Sequence, residues 1–572
     1  MFASSFPVRL TFIFIVSAFL LSAVAATPPA AAQTRPERPA LPAQVEALAE
    51  ELAARPTAED PDVPSVSPPQ MRPDPEAPVV ALRAARETLR TLVDGAGRGT
   101  PPMPEFAPVL AAVDEATRTY GAGSPDLSHL AATCDLLRRA LRELERIQRA
   151  PRSGPGGGPH VKVFDGRSLV AIAERIAADT LRSAERAGVP PRRLKSAKQR
   201  VELGLKAAAR GDLGGAAGHM GGGAKLAANT MVFDVERFEQ NILDALAGNT
   251  VGYAFSIAWQ GALYDGGRSA GLARTAADAP LLAQSPAKEM HVASVSKTLT
   301  AIVVMRLLEE NGLTPGDPIA PWLPSNWAMG NSVAGLSFAD FMKHESGFAQ
   351  IGAGSTYDAL QTAIATDVGD TTFSYSNANY GLMRVLSARL QGVDVGAVWW
   401  LPGDALTTAF FLTYAQDLFE SIGVEVDCRA TDPHPTIQYN LPHNDQSGYL
   451  EPDRRSACGG IGWTISANEI AAVMANLRLT ENLISSEARG WMEDLSLGFM
   501  APANYGWVVG DLGTYHMHGG DWFHGEGEAH ACAVSFPIQV QVGLVINSER
   551  GGSMPYQCIL LRDAFDDAWV SN

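Results

Sequence analysis

Between residues 79 and 228 the apolar positions recur every three or four residues among Arg, Glu and Ala, the period of helices with one buried face. The clearest stretch opens with Ser124-Pro125-Asp126, a capping serine and a proline at the first helical position. Leu130, Cys134, Leu137, Leu141 and Leu144 then mark its apolar face. The same period predicts helices over Val79–Val93, Pro108–Tyr120, Ser168–Ala187, Arg192–Ala209 and Leu213–Ala228, parted by loops such as Gly154-Pro-Gly-Gly-Gly-Pro159. An antiparallel bundle follows; the heptads are too short to favour a dimeric coiled coil.

From about Phe233 the texture changes to mixed strand and helix. Val251–Trp259 and Gly261–Gly267 read as two strands joined by a turn, and Trp507–Val509 and Ala531–Phe536 as further strands. An apolar helix beginning at Ser294 ends at Asn311-Gly312, with glycine in the left-handed cap position. Ile538–Asn547 begins by alternating like a strand, and a terminal helix is predicted over Gln557–Val570. Residues 27–75 are rich in Pro and Ala and predict an extended linker, interrupted by a weak helix near Val45–Ala53. Ahead of them, Arg9, the apolar run Leu10–Leu21 and the small residues Ala23-Val24-Ala25 have the order of a secretory signal peptide. The run is short for a bilayer, which disfavours an uncleaved anchor, and no later stretch is apolar enough to span. The expected organisation is therefore a signal peptide at 1–26, a linker at 27–75, a helical module at 76–232 and a mixed domain at 233–572, on an exported protein, periplasmic or secreted.

Composition adds less. The apolar fraction of 46 % suits a sizeable core, and the formal charge is −17. Between about residues 76 and 232, Arg and Lys outnumber Asp and Glu by roughly eight, so the acidity lies elsewhere. A basic module on an exported protein has anionic envelope material as its candidate partner; Arg-rich solvated helix faces are the plainer account. Five cysteines are too few for a disulfide scaffold. Cys134 stands apart, and one or two bridges are open to Cys428, Cys458, Cys532 and Cys558, with the pairing undetermined. His524, Glu526, Glu528 and His530 alternate, and His434, His443 and Asp445 lie in one loop-like stretch. Both sets are weighed as metal ligands against the ordinary reading of polar loop residues, and the latter is adopted. No metal, cofactor or nucleic acid is expected.

Ser294-Val-Ser-Lys297 carries the chemistry. A serine and a lysine three apart at a helix start face the same way, and a partly desolvated amine can take a hydroxyl proton. The helix N-terminus adds N–H groups where an oxyanion would develop. Tyr375-Ser376-Asn377 supplies a second phenolic base candidate and a side-chain amide for a substrate. His518-Gly519-Gly520 would let a substrate lie against a strand edge, with the N–H of Asp521 completing an oxyanion hole.

In this order the three motifs resemble those of the serine β-lactamase and penicillin-binding-protein-like superfamily, nearest its class C β-lactamase and esterase branch. Further stretches agree: Glu289–Thr298 around the nucleophile, Phe341-Met-Lys-His-Glu-Ser-Gly-Phe348, Cys458-Gly-Gly-Ile-Gly-Trp463 running on to Ile470, and Asn504-Tyr-Gly-Trp507. The resemblance covers about residues 235–570. It implies an antiparallel sheet flanked by helices plus an all-helical subdomain, preceded here by a separate N-terminal helical bundle. It also implies a serine hydrolase forming an acyl-enzyme on Ser294, with Lys297 and Tyr375 managing the proton. Asn377, His518, Gly519, Gly520 and Asp521 would bind substrate, and the choice of base is left open. Histidine at 518, where many β-lactamases carry lysine, removes the permanent charge that grips an antibiotic's carboxylate. The expectation is an esterase, a D-amino-acid peptidase or amidase, or a weak β-lactamase, acting on a small molecule or peptide. The Asp432–Asp445 insertion is a candidate wall of the cleft. The alternative is a catalytically weak or silent envelope-binding protein whose helical module binds the partner.

Overall fold

A computed structural model of the chain describes residues 41–54, 69–70, 74–95, 102–149, 164–443, 445–455 and 458–572. The signal-peptide expectation and most of the linker lie outside them. Within the linker, the short helix is Ala43–Ala53, whose Val45 and Ala49 are buried in the same core as the Gly403–Glu420 helix.

The bundle helices follow the three-four period closely: Pro78–Asp94, Ala107–Ala122, Ser128–Arg149, Arg167–Arg186, Pro191–Ala209 and Leu213–Ala228. One start differs. The helix expected to open at Pro125 begins at Ser128, because Leu127 takes a left-handed φ of 62° and buries its side chain. Ser124 still serves this end, its Oγ accepting from the His129 N–H at 3.0 Å.

A six-stranded antiparallel sheet forms the centre, in the order Leu282–Ala283, Ala262–Arg274, Gly252–Trp259, Val540–Ile546, Gly527–Phe536, His516–His524. Its first and last strands in the chain pair side by side, so the helical subdomain between them is an insertion closed by the two ends. Alternation sorts the two faces. Ala254, Ala531, Ala533 and Val545 face the nucleophile helix and the subdomain; Phe255, Val534, Phe536, Val542 and Leu544 face the other way. Both faces are covered, which is why these strands read as near-continuous apolar runs. The larger side chains share one continuous core with Leu82, Leu137, Ile176 and Ala224 of the bundle.

Three local expectations are corrected. Trp507 lies in a 3-10 turn, Gly506–Val508, with only Val509–Gly510 as strand. The His518 triplet does not lie between strands but within the edge strand itself. The terminal helix stops at Asp566, and Trp569–Ser571 pairs with Met231–Phe233, tying the chain's end to the entry of the mixed domain. Among the described residues no helix is long and apolar enough to cross a membrane.

Candidate active site

Ser294 sits in a 3-10 turn, Ala293–Val295, immediately before the Ser296–Glu310 helix. Ala293 holds φ at 48°, a left-handed conformation that a residue with Cβ adopts only when its surroundings enforce it. The helix is buried on nearly every side, and its polar residues are spent on carbonyls. Thr298 Oγ1 donates to Gly498 O at 2.6 Å and Thr300 Oγ1 to Gly459 O at 2.7 Å. One turn beyond the serine, Lys297 is fully buried, with Nζ 3.1 Å from Ser294 Oγ, 2.7 Å from Asn377 Oδ1 and 2.8 Å from Gly460 O. No carboxylate is among these partners, and burial drives its pKa well below the usual lysine value.

Tyr375 lies under this amine, Lys297 Nζ standing 4.7 Å over its ring. Its phenol is buried without a hydrogen-bond partner, and burial raises its pKa well above the ordinary range. The Ser294 hydroxyl, close by but outside hydrogen-bonding geometry, pulls the other way. Tyr375 and Asn377 are held by a residue the motif reading left without a role. His344, at φ 61°, packs its ring tilted against Tyr375 with ring centroids 4.3 Å apart. Its Nδ1 accepts from the Ser376 N–H at 3.2 Å and from Asn379 Nδ2 at 2.9 Å. Burial keeps it neutral, as an acceptor must be.

The edge strand closes the other side. A Cβ on Gly520 would lie 2.2 Å from Val292 O and 3.0 Å from Ser294 N, so glycine is what lets the strand meet the nucleophile turn. A Cβ on Gly519 would lie 2.0 Å from the Tyr556 hydroxyl on the opposite face. His518 is buried, its Nδ1 2.7 Å from Gly519 O, and burial lowers its pKa to about 3. Asp521 does not present its side chain to the site. The carboxylate turns away to His530 Nδ1, at 2.6 Å, and to Gln557 Nε2, at 3.1 Å. Burial pushes this carboxyl up, but His530 outweighs it and the pKa ends below the usual range. Gln557 Nε2 also donates to Gly520 O at 2.9 Å, so the C-terminal helix fixes the strand from behind.

Disulfides Cys428–Cys458 and Cys532–Cys558 brace both supports: Cys458 stands two residues before Gly460, and Cys558 follows Gln557. Cys134 is free and buried. Neither metal-like set gathers: His530 is engaged by Asp521 and Glu528, His524 stacks on Tyr449 at 3.8 Å, and His443 pairs with Asp445. Among the described residues no group of three or more candidate ligands is placed to hold a metal. A cavity of about 40 Å³ opens beside Tyr375 and His518, lined by Phe373, Phe499 and Tyr505, whose hydroxyl is buried without a partner. None of the described residues of the Asp432–Asp445 insertion lines it.

A serine backed by a buried amine, faced by a phenol and an amide and closed by a glycine-bearing strand edge, is the arrangement of a serine hydrolase. The sequence matches the family described as Beta-lactamase over residues 260–567, more than half its length, and the chain belongs to that family. No curated protein sequence matches it. Solved structures similar to it include the octameric penicillin-binding protein homologue from Pyrococcus abyssi, at 19 % identity over 57 % of this chain and 76 % of that one (TM-score 0.42). Another is the β-lactamase/D-alanine carboxypeptidase from Yersinia pestis, at 15 % identity over 58 % and 97 % (TM-score 0.43). A third is the D-amino acid amidase from Ochrobactrum anthropi SV3, at 14 % identity over 58 % and 96 % (TM-score 0.41).

Proposed function

We propose that the protein cleaves an uncharged ester or amide through an acyl-enzyme on Ser294, with Lys297 as the base of the acylation step. The observation that carries this is the set of contacts around Lys297. A neutral amine has two N–H donors and one lone pair. Asn377 Oδ1 and Gly460 O take the donors, and Ser294 Oγ is left at 3.1 Å to give its proton to the lone pair. Burial without a counter-charge favours that neutral form. As Oγ bonds to the acyl carbon its proton passes to Nζ, and the carbonyl oxygen takes up charge at the N–H groups of Ser294 and Asp521. Collapse of the adduct breaks the bond to the leaving alcohol or amine. In this reading the Tyr375 phenol, kept protonated by burial, supplies its proton and recovers one from Lys297.

Two features favour an uncharged substrate with a compact acyl group. His518 is neutral where charge would be needed to hold a carboxylate, and the cavity beside it is small and rich in aromatic rings, its lining Lys343 being paired with Glu345. Export to an oxidising compartment is part of the same proposal, supported by two disulfides that brace the site. Incubation with a fluorophosphonate, read by intact mass, tests the nucleophile: one adduct on the wild type and none on Ser294→Ala is expected. The absence of an adduct on the wild type would sink the enzymatic reading. Comparing 4-nitrophenyl acetate, nitrocefin and a D-alanyl amide tests the substrate class, and faster turnover of nitrocefin than of the ester would overturn it.

A further inference from the structure

Another cavity lies apart from the one beside Tyr375 and His518. About 310 Å³ lies at the seam where the Pro78–Asp94 and Ala107–Ala122 helices of the bundle meet the Ser486–Leu495 helix and the start of the edge strand. Four guanidinium groups line it: Arg83, Arg118, Arg478 and Arg489. The two lining carboxylates are committed. Glu493 pairs with Arg478, and Asp494 with Arg86 at 3.4 Å, outside the lining. Arg83 spends its terminal nitrogens on Ser496 Oγ at 3.2 Å and Glu493 O at 2.8 Å, and Arg489 turns to the carbonyls of Leu477 and Thr480. Arg118 is exposed and takes part in no hydrogen bond or ion pair among the described residues.

Two lining groups are unpartnered. Arg83 Nε is buried without an acceptor, and Thr514, only 2 % exposed, has no partner for Oγ1. Buried donors of this kind are costly unless something accepts from them. His516 brings no charge, since burial holds it below its ordinary range. Val79, Leu479 and Pro537 add apolar surface to a wall that also carries the polar side chains of Thr117, Ser124, Ser486 and Gln539.

We propose that this seam cavity is a binding site for a small oxyanion-bearing ligand, a carboxylate or phosphate on a compact apolar body. Guanidinium forks match both headgroups in geometry, and the cavity lies at the lower end of the size range of small-molecule sites. The site is distinct from the catalytic one, but they share walls. Arg83 holds Ser496, which lines the cavity beside Tyr375, and His516 stands two residues from His518 on the same strand. The proposal stands independently of the catalytic reading.

Titration calorimetry at physiological ionic strength, with inorganic phosphate and with benzoate as probes, tests it on protein whose Ser294 has been blocked by a fluorophosphonate or replaced by alanine. Saturable one-to-one binding of at least one probe is expected, weakened at least tenfold in Arg118→Ala and in Arg489→Gln. The exposed control Arg200→Ala, elsewhere on the bundle, should bind as the wild type does. Phosphate binding alone assigns a phosphate headgroup; benzoate binding alone assigns a carboxylate with an apolar body. Failure of both probes to saturate, or equal affinity in the wild type and both seam variants, overturns the proposal. An unchanged thermal unfolding midpoint in the variants shows that the loss is local.

Discussion

Lys297 Nζ stands 3.1 Å from Ser294 Oγ with its remaining contacts fixed on an amide oxygen and a main-chain carbonyl. The amine is therefore aimed by the fold before any substrate arrives, and its burial sets its protonation. Replacing Lys297 with methionine keeps the volume and removes the lone pair. Fluorophosphonate labelling of Ser294 should slow by about 10³-fold or more. Lys297→Arg should do no better, because a guanidinium stays charged in a site without a carboxylate.

The same burial predicts the pH profile. The acylation rate should rise with pH through an apparent pKa well below that of an ordinary lysine, because only the neutral amine accepts the serine proton. Between that lowered value and the unfolded value near 10.4 the unfolded chain binds the extra proton, so stability also rises with pH in that window. A stopped-flow labelling profile that stays flat until pH 10 would remove Lys297 as the base.

Acid should unfold the protein early. His518 and His129 resist protonation down to about 3 and about 4, and burial also keeps His344 and His516 neutral. Unfolded histidines take their protons near pH 6.5, so stability falls as pH drops below that value, on the order of 1 kcal/mol per pH unit for each such residue. Denaturant midpoints measured from pH 7 to pH 4 should decline steeply. A flat series would contradict the burial of these rings.

Gly519 and Gly520 make different predictions although they are neighbours. Gly519→Ala presses on the Tyr556 hydroxyl and on the ring carbon that bears it, at 2.6 Å, so Tyr556→Ala, which removes the ring, should restore much of the lost labelling where Tyr556→Phe does not. Gly520→Ala presses on Val292 O and the Ser294 main chain, which no side-chain change relieves. Its labelling should remain at least 100-fold slow in the same double-mutant test.

The cysteines give a count. Under denaturing conditions without reductant, alkylation should modify one thiol of five, Cys134, and after reduction all five. Reduction of the native enzyme should also slow labelling, because both bridges brace residues that hold Lys297 or the edge strand.

Removing residues 76–228 should not release a working catalytic domain. The bundle shares one core with the outer face of the sheet, and its loss uncovers Phe255, Val534 and Leu544. Soluble yield and near-ultraviolet circular dichroism of the truncated chain check this. Wild-type labelling by the truncated chain would show that the bundle is an independent module.

The sequence by itself determined the local elements and the order of the chemical motifs. The three-four repeat marks the bundle helices because each buries one stripe, and S-x-x-K, Y-x-N and H-G-G are legible because each packs its chemistry into a few adjacent residues. Local signals failed where a distant contact overrode them: Leu127 breaks the helix start to bury its side chain, and Trp569–Ser571 leaves the terminal helix to pair with residues 231–233. Only the tertiary structure decided how the motifs meet. His344 under Tyr375, Gly460 on Lys297 and Gln557 behind Gly520 lie far apart in the chain from the groups they hold, and no local period records such contacts. Protonation was decided there as well, since a side chain's charge follows from how much water and which neighbours the folded chain leaves around it.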